Sequence, residues 1–197
     1  FKLAKGTESG KAVVKEISKM NYGISTRGGA EKMALGALSC YKSGVLIPTD
    51  AVINGFNAQK RQPMLCAMAA IWPPPDNMVN RFYAMDSLVT YTYTNGTTTY
   101  VHIMWSKEGS RMGCTLGQIA FCVTAHLRVY APLQKLHPNF FIKALTDDLL
   151  PHVAKPQNAD YPAVYVQVIQ FRKDYDRLGN PHGLFRHPGK SKLLIPP

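Results

Sequence analysis

Two runs of alternating, β-branched residues on either side of Asn95-Gly96 constrain the fold of this chain more than any other local pattern. The first run covers residues 88–94 and the second covers residues 97–105. Val, Thr and Tyr favour pleated strands, and Asn-Gly between two such runs favours a two-residue type I′ turn. The sequence therefore predicts an antiparallel β-hairpin, and we expect it to share one sheet with the other predicted strands.

The remaining hydrophobic patterns alternate between helices and strands. Helices are predicted over 30–43, 58–71, 116–131 and 162–178, and short strands over 45–47, 140–145 and 192–195. Pro132 is expected to end or kink the third of these helices. The order favours an α+β fold in which an antiparallel sheet is covered by helices on one face. No run of about 18 apolar residues is present, so no membrane-spanning helix and no membrane partner are expected.

Positive charge is concentrated at both ends of the chain. Its 23 Lys and Arg exceed its 12 Asp and Glu, which gives a formal net charge of +11. The segments 1–42 and 151–197 are strongly basic, whereas the acidic residues gather in the middle. A surplus of this size favours a polyanionic partner. Acids within a basic protein suggest carboxylates that hold a metal, although caps and turns are the alternative.

The cysteine pattern argues against a zinc site and against a disulfide scaffold. The four cysteines, Cys40, Cys66, Cys114 and Cys122, are scattered and form no Cys-x-x-Cys pair. Buried free thiols in a reducing compartment are the expected interpretation, which implies an intracellular protein of the mitochondrion or the nucleus. Because the chain begins with Phe1 and not Met, we expect it to be a processed chain or a fragment.

Acidic residues follow two of the predicted strands. Asp50 comes directly after the strand at 45–47, and Asp147-Asp148 comes after the strand at 140–145. These carboxylates meet if the two strands are neighbours, and converging carboxylates are tolerated mainly when a divalent metal neutralises them. Two such metals serve phosphoryl transfer. The alternative is that Asp50 caps the next segment and that Asp147-Asp148 is a polar turn.

Five stretches around these acids occur in the order found in a known family. They are Tyr22–Ser25 with Gly28–Glu31, Asp50 with Asn54–Asn57, Glu108–Gly117 with Phe121, Leu145–Asp148, and Pro188–Ser191 with Leu193–Pro196. Together they resemble the fingers–palm region of reverse transcriptases of the non-LTR retroelement type, over about residues 20–197. The resemblance implies a partial fingers segment at 1–43, a palm domain at 44–197 and no thumb.

The resemblance also implies a catalytic site with two Mg²⁺ ions. Asp50 and Asp147 would hold the metals, with Asp148 as an auxiliary acid. Lys190 would donate a proton to the leaving pyrophosphate. Taken alone, Lys190 is more simply interpreted as a solvated loop lysine.

Three further residues are implied in nucleotide binding. Phe56 would lie beneath the sugar of the incoming nucleotide and exclude a 2′-hydroxyl, although by itself it is more simply a core residue. Gly113 would allow the backbone to approach the template–nucleotide pair. Arg111 belongs to the same stretch and is also expected to bind the nucleotide.

Departures from the family's pattern leave two functions open. Residues 51–53 separate Asp50 from Asn54, where the family has two residues, so Asp50 turns to the opposite face unless a bulge absorbs the insertion. Leu145 replaces an aromatic residue and Met112 replaces a glutamine. One function is RNA-directed DNA synthesis on RNA or an RNA/DNA hybrid. The other is an inactive RNA-binding subunit among the protein chains of a large ribonucleoprotein, such as a ribosome or mitochondrial ribosome.

Overall fold

The computed structural model describes residues 8–72, 78–111, 113–154 and 161–196. Its α-helices are α1 (Glu8–Ile17), α2 (Gly29–Lys42), α3 (Gly55–Ala58), α4 (Arg61–Ile71), α5 (Met78–Tyr83), α6 (Thr115–Ala125), α7 (Ala131–Leu136) and α8 (Tyr161–Gly179). Its strands are β1 (Val45–Ala51), β2 (Ser87–Asn95), β3 (Thr98–Ser106), β4 (Phe140–Phe141), β5 (Ala144–Leu145), β6 (Asp148–Leu149), β7 (His152–Ala154) and β8 (Lys192–Leu194). Met112, the residue that replaces a glutamine of the family's pattern, lies outside the described ranges.

The main sheet is antiparallel and is built around β1. Its strand order is β4-β7-β1-β6-β5, and β8 also pairs with β1. The short strands β6 and β7 continue one another, because both pair with β1 in a single register. The strands β4 and β5 pair with β7 and β6 in the same continuous way. Residues 140–154 therefore form one interrupted hairpin along one edge of β1, and β8 occupies the other edge.

Helices cover both faces of this sheet, whereas the sequence predicted helices on one face only. On one face Phe171 of α8 stacks on Phe140 of β4, with ring centroids 4.5 Å apart. On the other face α2 lies over β1, and Met33 is buried between them. Most other residues of α2 are exposed, so this helix is only lightly packed against the sheet.

The predicted helix at 116–131 is present, but Pro132 does not end it. The helix α6 runs into a π-helical turn at His126–Tyr130, and α7 begins directly after that turn with Pro132 in its first positions. The backbone N–H of Ala131 donates to the carbonyl of His126, which is the wider hydrogen bond of a π-turn. Such a bulge is one of the ways in which a helical run accommodates a proline, since proline supplies no N–H for the regular pattern.

The Asn-Gly hairpin forms as predicted but belongs to a separate two-stranded sheet, so the expectation of a shared sheet was wrong. Its register pairs Asn95 with Thr98, which leaves Gly96 and Thr97 as the loop. Gly96 has φ +61° and Asn95 and Thr97 do not have positive φ, which is the type II′ pattern and not type I′. Met104 and Trp105 on opposite faces are 55% and 61% exposed, so neither face of the hairpin is packed on the domain.

All four cysteines are free, as predicted, but only Cys122 is buried. Cys66 is exposed, and the other two cysteines are partly exposed, so the expectation of four buried thiols was wrong. Across the described residues, no helix combines the length and the hydropathy that crossing a bilayer requires.

A tight contact between two loops closes the domain near Gly183. The N–H of Lys60 donates to the carbonyl of His182 at 2.9 Å. Gly183 has φ +75°, and a Cβ atom at this position would lie 1.9 Å from the carbonyl oxygen of Ala58. Glycine is required here both by the backbone conformation and by the close approach of the other loop.

We expect Gly183→Ala to lower the free energy of unfolding by about 3 kcal/mol, because it adds a backbone clash to an unfavourable φ. Gly44→Ala is the matched control, since Gly44 has φ +81° but open space around it. That control should lose only about 1 kcal/mol. Urea denaturation of both variants measures the difference, and equal losses would contradict the proposed loop contact.

Candidate functional site

The turn that carries the Asp doublet is held by Asn21. Leu145 pairs with Asp148, so Thr146 and Asp147 form the loop between β5 and β6. Thr146 has φ +58°, which is unfavourable for a β-branched residue. The fully buried Asn21 accepts the Thr146 N–H at 3.1 Å and donates to the Thr146 carbonyl at 3.2 Å. These two bonds compensate the strained turn, and no sequence pattern pointed to Asn21.

Gly23, which follows Tyr22 in the first resemblance stretch, lies so close to the Asp doublet turn that only a glycine fits. The Gly23 N–H donates to the Asn21 side chain at 2.9 Å. A Cβ atom on Gly23 would lie 2.4 Å from the Thr146 hydroxyl oxygen and 2.7 Å from the Thr146 nitrogen. The segment before α2 therefore packs directly against the Asp doublet turn.

The register of β1 decides which way Asp50 points. Asp50 lies opposite Leu149, and Ala51 lies opposite Asp148. Pairing continues without a bulge, because the Val52 N–H donates to the Asp147 carbonyl at 3.2 Å. Residues opposite one another in an antiparallel pair point to the same face, and successive residues point to opposite faces. Ala51, and not Asp50, therefore shares a face with Asp148.

The carboxylate of Asp50 is instead engaged by arginines from the C-terminal part of the chain. The Arg172 Nε atom lies 3.1 Å from Asp50 Oδ1 and donates to Oδ2 at 3.3 Å. The Arg186 Nη1 atom lies 3.9 Å from Oδ1. Burial raises the pKa of Asp50 above its usual range, and the Ser191 hydroxyl and the two guanidinium groups only partly oppose this. Asp50 is thus a buried ion-pair partner that is 4% exposed.

A cleft of about 350 Å³ lies between α2 and the other face of the sheet. Lys190, Ala51 and Asp148 line it, together with Ala30 and Met33 of α2. Asp50 also contributes to the lining, but its side chain is only 3% exposed and lies against Arg172. The structure therefore places Lys190 and Asp148 at one cleft.

Partial burial and the neighbouring Asp147 charge raise the pKa of Asp148, while Lys190 opposes this rise. The Asp doublet is accordingly a site of like-charge repulsion that a cation would relieve. Among the described residues, this turn and cleft offer Asp147, Asp148 and Lys190, besides the Asp50 carboxylate that lies against Arg172.

The residues present do not fit a two-Mg²⁺ site of the implied kind. No group of three or more His, Cys, Asp or Glu in the described ranges, which include all three predicted acids, is arranged to hold a metal ion. The physical reason is the register of β1, which turns the Asp50 carboxylate toward Arg172 and away from Asp148. The catalytic roles of Asp50, Asp147, Asp148 and Lys190 stay predictions.

Phe56 is partly buried and packs on the core. Its ring centroid lies 5.0 Å from that of Phe121, which the resemblance groups with the stretch Glu108–Gly117. The Phe56 carbonyl accepts the Ser110 N–H at 2.6 Å. Gly109, at φ +73°, approaches the same segment, and a Cβ atom there would lie 2.5 Å from the Asn57 carbonyl. The stretches Asn54–Asn57 and Glu108–Gly117 therefore pack against each other through their backbones.

Gly113 and Arg111 lie at the surface, within the stretch Glu108–Gly117. Gly113 has φ +83° and open space around it, so a partner could approach its backbone. Arg111 is exposed, and its backbone N–H donates to the Tyr83 hydroxyl at 3.2 Å. Contact of Phe56, Gly113 or Arg111 with a nucleotide stays a prediction.

Comparison with known proteins supports the fold. No family model and no curated protein matches the chain. Telomerase from Candida albicans in complex with the TWJ fragment of telomeric RNA matches with a TM-score of 0.54 and 13% identity, over 94% of this chain and 34% of that chain. Apo telomerase from Candida tropicalis matches with a TM-score of 0.58 and 10% identity, over 95% and 36%. The same enzyme truncated from its C-terminal domain gives 0.58 and 11%, over 94% and 40%.

This chain therefore spans little more than a third of the length of the telomerases it matches. At such low identity the likeness concerns the fold alone. The chain has a mixed α/β fold with antiparallel sheets that is similar to telomerase, a reverse-transcriptase-related enzyme. The narrower resemblance to the non-LTR retroelement type stays a prediction.

We expect Arg172→Met to lower the free energy of unfolding by about 3 kcal/mol at pH 7, because it leaves the Asp50 carboxylate buried without its closest guanidinium. The pKa of Asp50 is already raised in the folded state, so the folded protein binds this proton more readily than the unfolded chain. The loss should therefore shrink as the pH falls from 7 toward the ordinary Asp value of 3.8.

Urea denaturation across this pH range measures the effect. Arg177→Met on the same helix is the control, because the Arg177 side chain is 61% exposed and should matter little. Asp50→Asn combined with Arg172→Met should recover most of the lost stability. A loss that is equally large at every pH would contradict the ion-pair explanation.

We expect Ala51→Asp to create a cation site, because Ala51 shares a face with Asp148. Without divalent cation the added charge should destabilise the fold by repulsion from the Asp doublet. Mg²⁺ or Mn²⁺ should restore the melting temperature of this variant and shift that of the parent much less. Ala51→Asn controls for side-chain size, and an equal Mg²⁺ response in parent and Ala51→Asp would refute the assignment of Ala51 to this face.

Proposed function

We propose that this chain is a nucleic-acid-binding domain on a reverse-transcriptase-related fold, with RNA as its partner and without a complete two-metal catalytic site. The observation that carries the proposal is the register of β1, which places Ala51 opposite Asp148 and turns Asp50 toward Arg172. A carboxylate held by a guanidinium on the other face of the sheet is not free to bind a metal beside Asp148.

Charge and fold support RNA as the partner. The chain carries a formal net charge of +11, and basic side chains neutralise phosphates without reading sequence. One of the solved structures with a similar fold is a telomerase in complex with a fragment of telomeric RNA. In this proposal the domain contributes RNA binding to a larger ribonucleoprotein that contains other protein chains.

RNA-directed DNA synthesis is the second candidate, and the composition of the cleft is the observation that favours it. Asp147 and Asp148 remain together in one turn, and Asp148 and Lys190 line the same cleft. A shift of β1 by one residue, absorbed as a bulge, would bring Asp50 to this face. Such a rearrangement requires the Asp50–Arg172 contact to break, so the enzyme needs a second conformation of β1.

Binding of a fluorescent single-stranded RNA, followed by anisotropy over a series of salt concentrations, tests the proposal. We expect affinity to fall steeply with salt, and Lys190→Gln to weaken binding and reduce the salt slope by about one. Lys135→Gln on α7 is the control, because this exposed lysine lies away from the α2 face of the sheet. Salt-independent binding, or no binding, would overturn the proposal.

Primer extension on an RNA template with Mg²⁺ separates the two candidates. The RNA-binding proposal expects no incorporation of deoxyribonucleotides by the parent chain. Incorporation by the parent that disappears in Asp147→Ala would establish the enzyme instead. Incorporation that survives Asp147→Ala would mean that other residues carry the chemistry.

A further inference from the structure

A second pocket, of about 280 Å³, lies under α2 at the opposite end from the Asp148 cleft. Its walls are mostly apolar and include Tyr22, Val45 and Phe141, with Met33 between the two pockets. Lys32 and Lys143 stand at the same pocket. This volume is at the small end of ligand-binding pockets in proteins and leaves room for one planar base, with any attached group outside the pocket.

A buried histidine of this pocket has an unused ring nitrogen. His152 is 6% exposed, and its Nε2 atom is buried without a hydrogen-bond partner. Burial lowers the pKa of His152 and the Lys143 charge adds to this, while the backbone of Phe141 opposes it, so the neutral ring is favoured. In the tautomer that carries its proton on Nδ1, Nε2 is an acceptor that meets no donor of the described chain.

Lys32 and Lys143 place two positive charges at this pocket. The Lys143 Nζ atom lies 5.1 Å from the centroid of the Tyr22 ring, which orients the ammonium group beside an aromatic wall. Within the described ranges, neither Lys32 nor Lys143 forms an ion pair with a carboxylate. Both charges are thus available to an anionic group of a ligand.

We propose that this pocket binds a nucleoside monophosphate, either as a free nucleotide or as an unstacked residue of an RNA chain. The planar base lies among Tyr22, Phe141 and Met33, and an N–H of the base donates to His152 Nε2. The phosphate lies against Lys32 and Lys143. The pocket's own residues carry this proposal, which does not depend on whether the Asp148 cleft binds RNA or catalyses.

Filling the pocket from α2 is the sharpest test. Gly36 lines the pocket, and a Cβ atom there meets nothing within 4 Å. Gly36→Leu therefore adds a bulky side chain at the pocket lining without a backbone clash, and Gly36→Ala is the matched control that also removes the glycine from the helix but adds only a methyl group. Calorimetric titration with AMP should show binding to the parent and to Gly36→Ala, and at least tenfold weaker binding to Gly36→Leu. Failure of AMP to bind the parent, or equal binding by all three proteins, would overturn the proposal.

The chemistry of the ligand is tested by truncating it. Adenosine, which lacks the phosphate, should bind more weakly than AMP, and Lys143→Gln should weaken AMP but not adenosine. His152→Phe, which removes the acceptor, should weaken both by about tenfold, the usual scale for one lost hydrogen bond. Inorganic phosphate that binds as tightly as AMP would overturn the assignment of the apolar walls to a base.

A short RNA distinguishes the two sources of the nucleotide. If Gly36→Leu weakens RNA binding as much as AMP binding, the occupant is an unstacked residue of the RNA. If Gly36→Leu loses AMP but retains the parent's affinity for RNA, the occupant is a free nucleotide. Lys190→Gln, which lies in the other cleft, should leave AMP binding unchanged in either case.

Discussion

The continuous pairing of β1 with the hairpin at 140–154 is the constraint on which the rest of the structure depends. A pleated strand alternates its side chains, so a register that runs without a bulge assigns each residue of β1 to one face. Asp50 and Ala51 are neighbours in sequence but lie on opposite faces for this reason. A shift of β1 by one residue would exchange its two faces. The Asp50 carboxylate would then lie beside Asp148 and not beside Arg172.

On one face of the sheet, the burial of the Asp50 carboxylate is opposed and compensated by arginine contacts. A carboxylate that is 3% exposed pays a large desolvation cost, which is why burial raises the pKa of Asp50 despite two nearby guanidinium groups. Arg172 also donates to the carbonyl of Lys192, and Arg186 pairs with Asp176. The ion pairs and the Arg172 hydrogen bond therefore join β1, α8 and β8 into one unit, and Asp50 serves the packing of the fold.

The helix α2 covers the opposite face of the sheet, where Ala51 and Asp148 lie. Because only Gly29 and Met33 of this helix are buried, α2 leaves a cleft on each side of Met33. The two clefts differ in chemistry. One combines Asp148 with Lys190, and the other combines His152 with two lysines and apolar walls. The face of the sheet that α2 covers is thus divided into two small sites.

Local patterns along the chain were sufficient to predict most helices and strands and the Asn-Gly hairpin. These features depend on residue propensities and on spacings within a few residues, which act the same way in any fold. The sheet to which the hairpin belongs, the π-turn before Pro132, the role of Asn21 and the second face covered by α2 could not be predicted. Each depends on contacts between residues far apart in sequence. The direction of Asp50 belongs to this second group, because the sequence contains the extra residue but not the register that decides whether a bulge absorbs it.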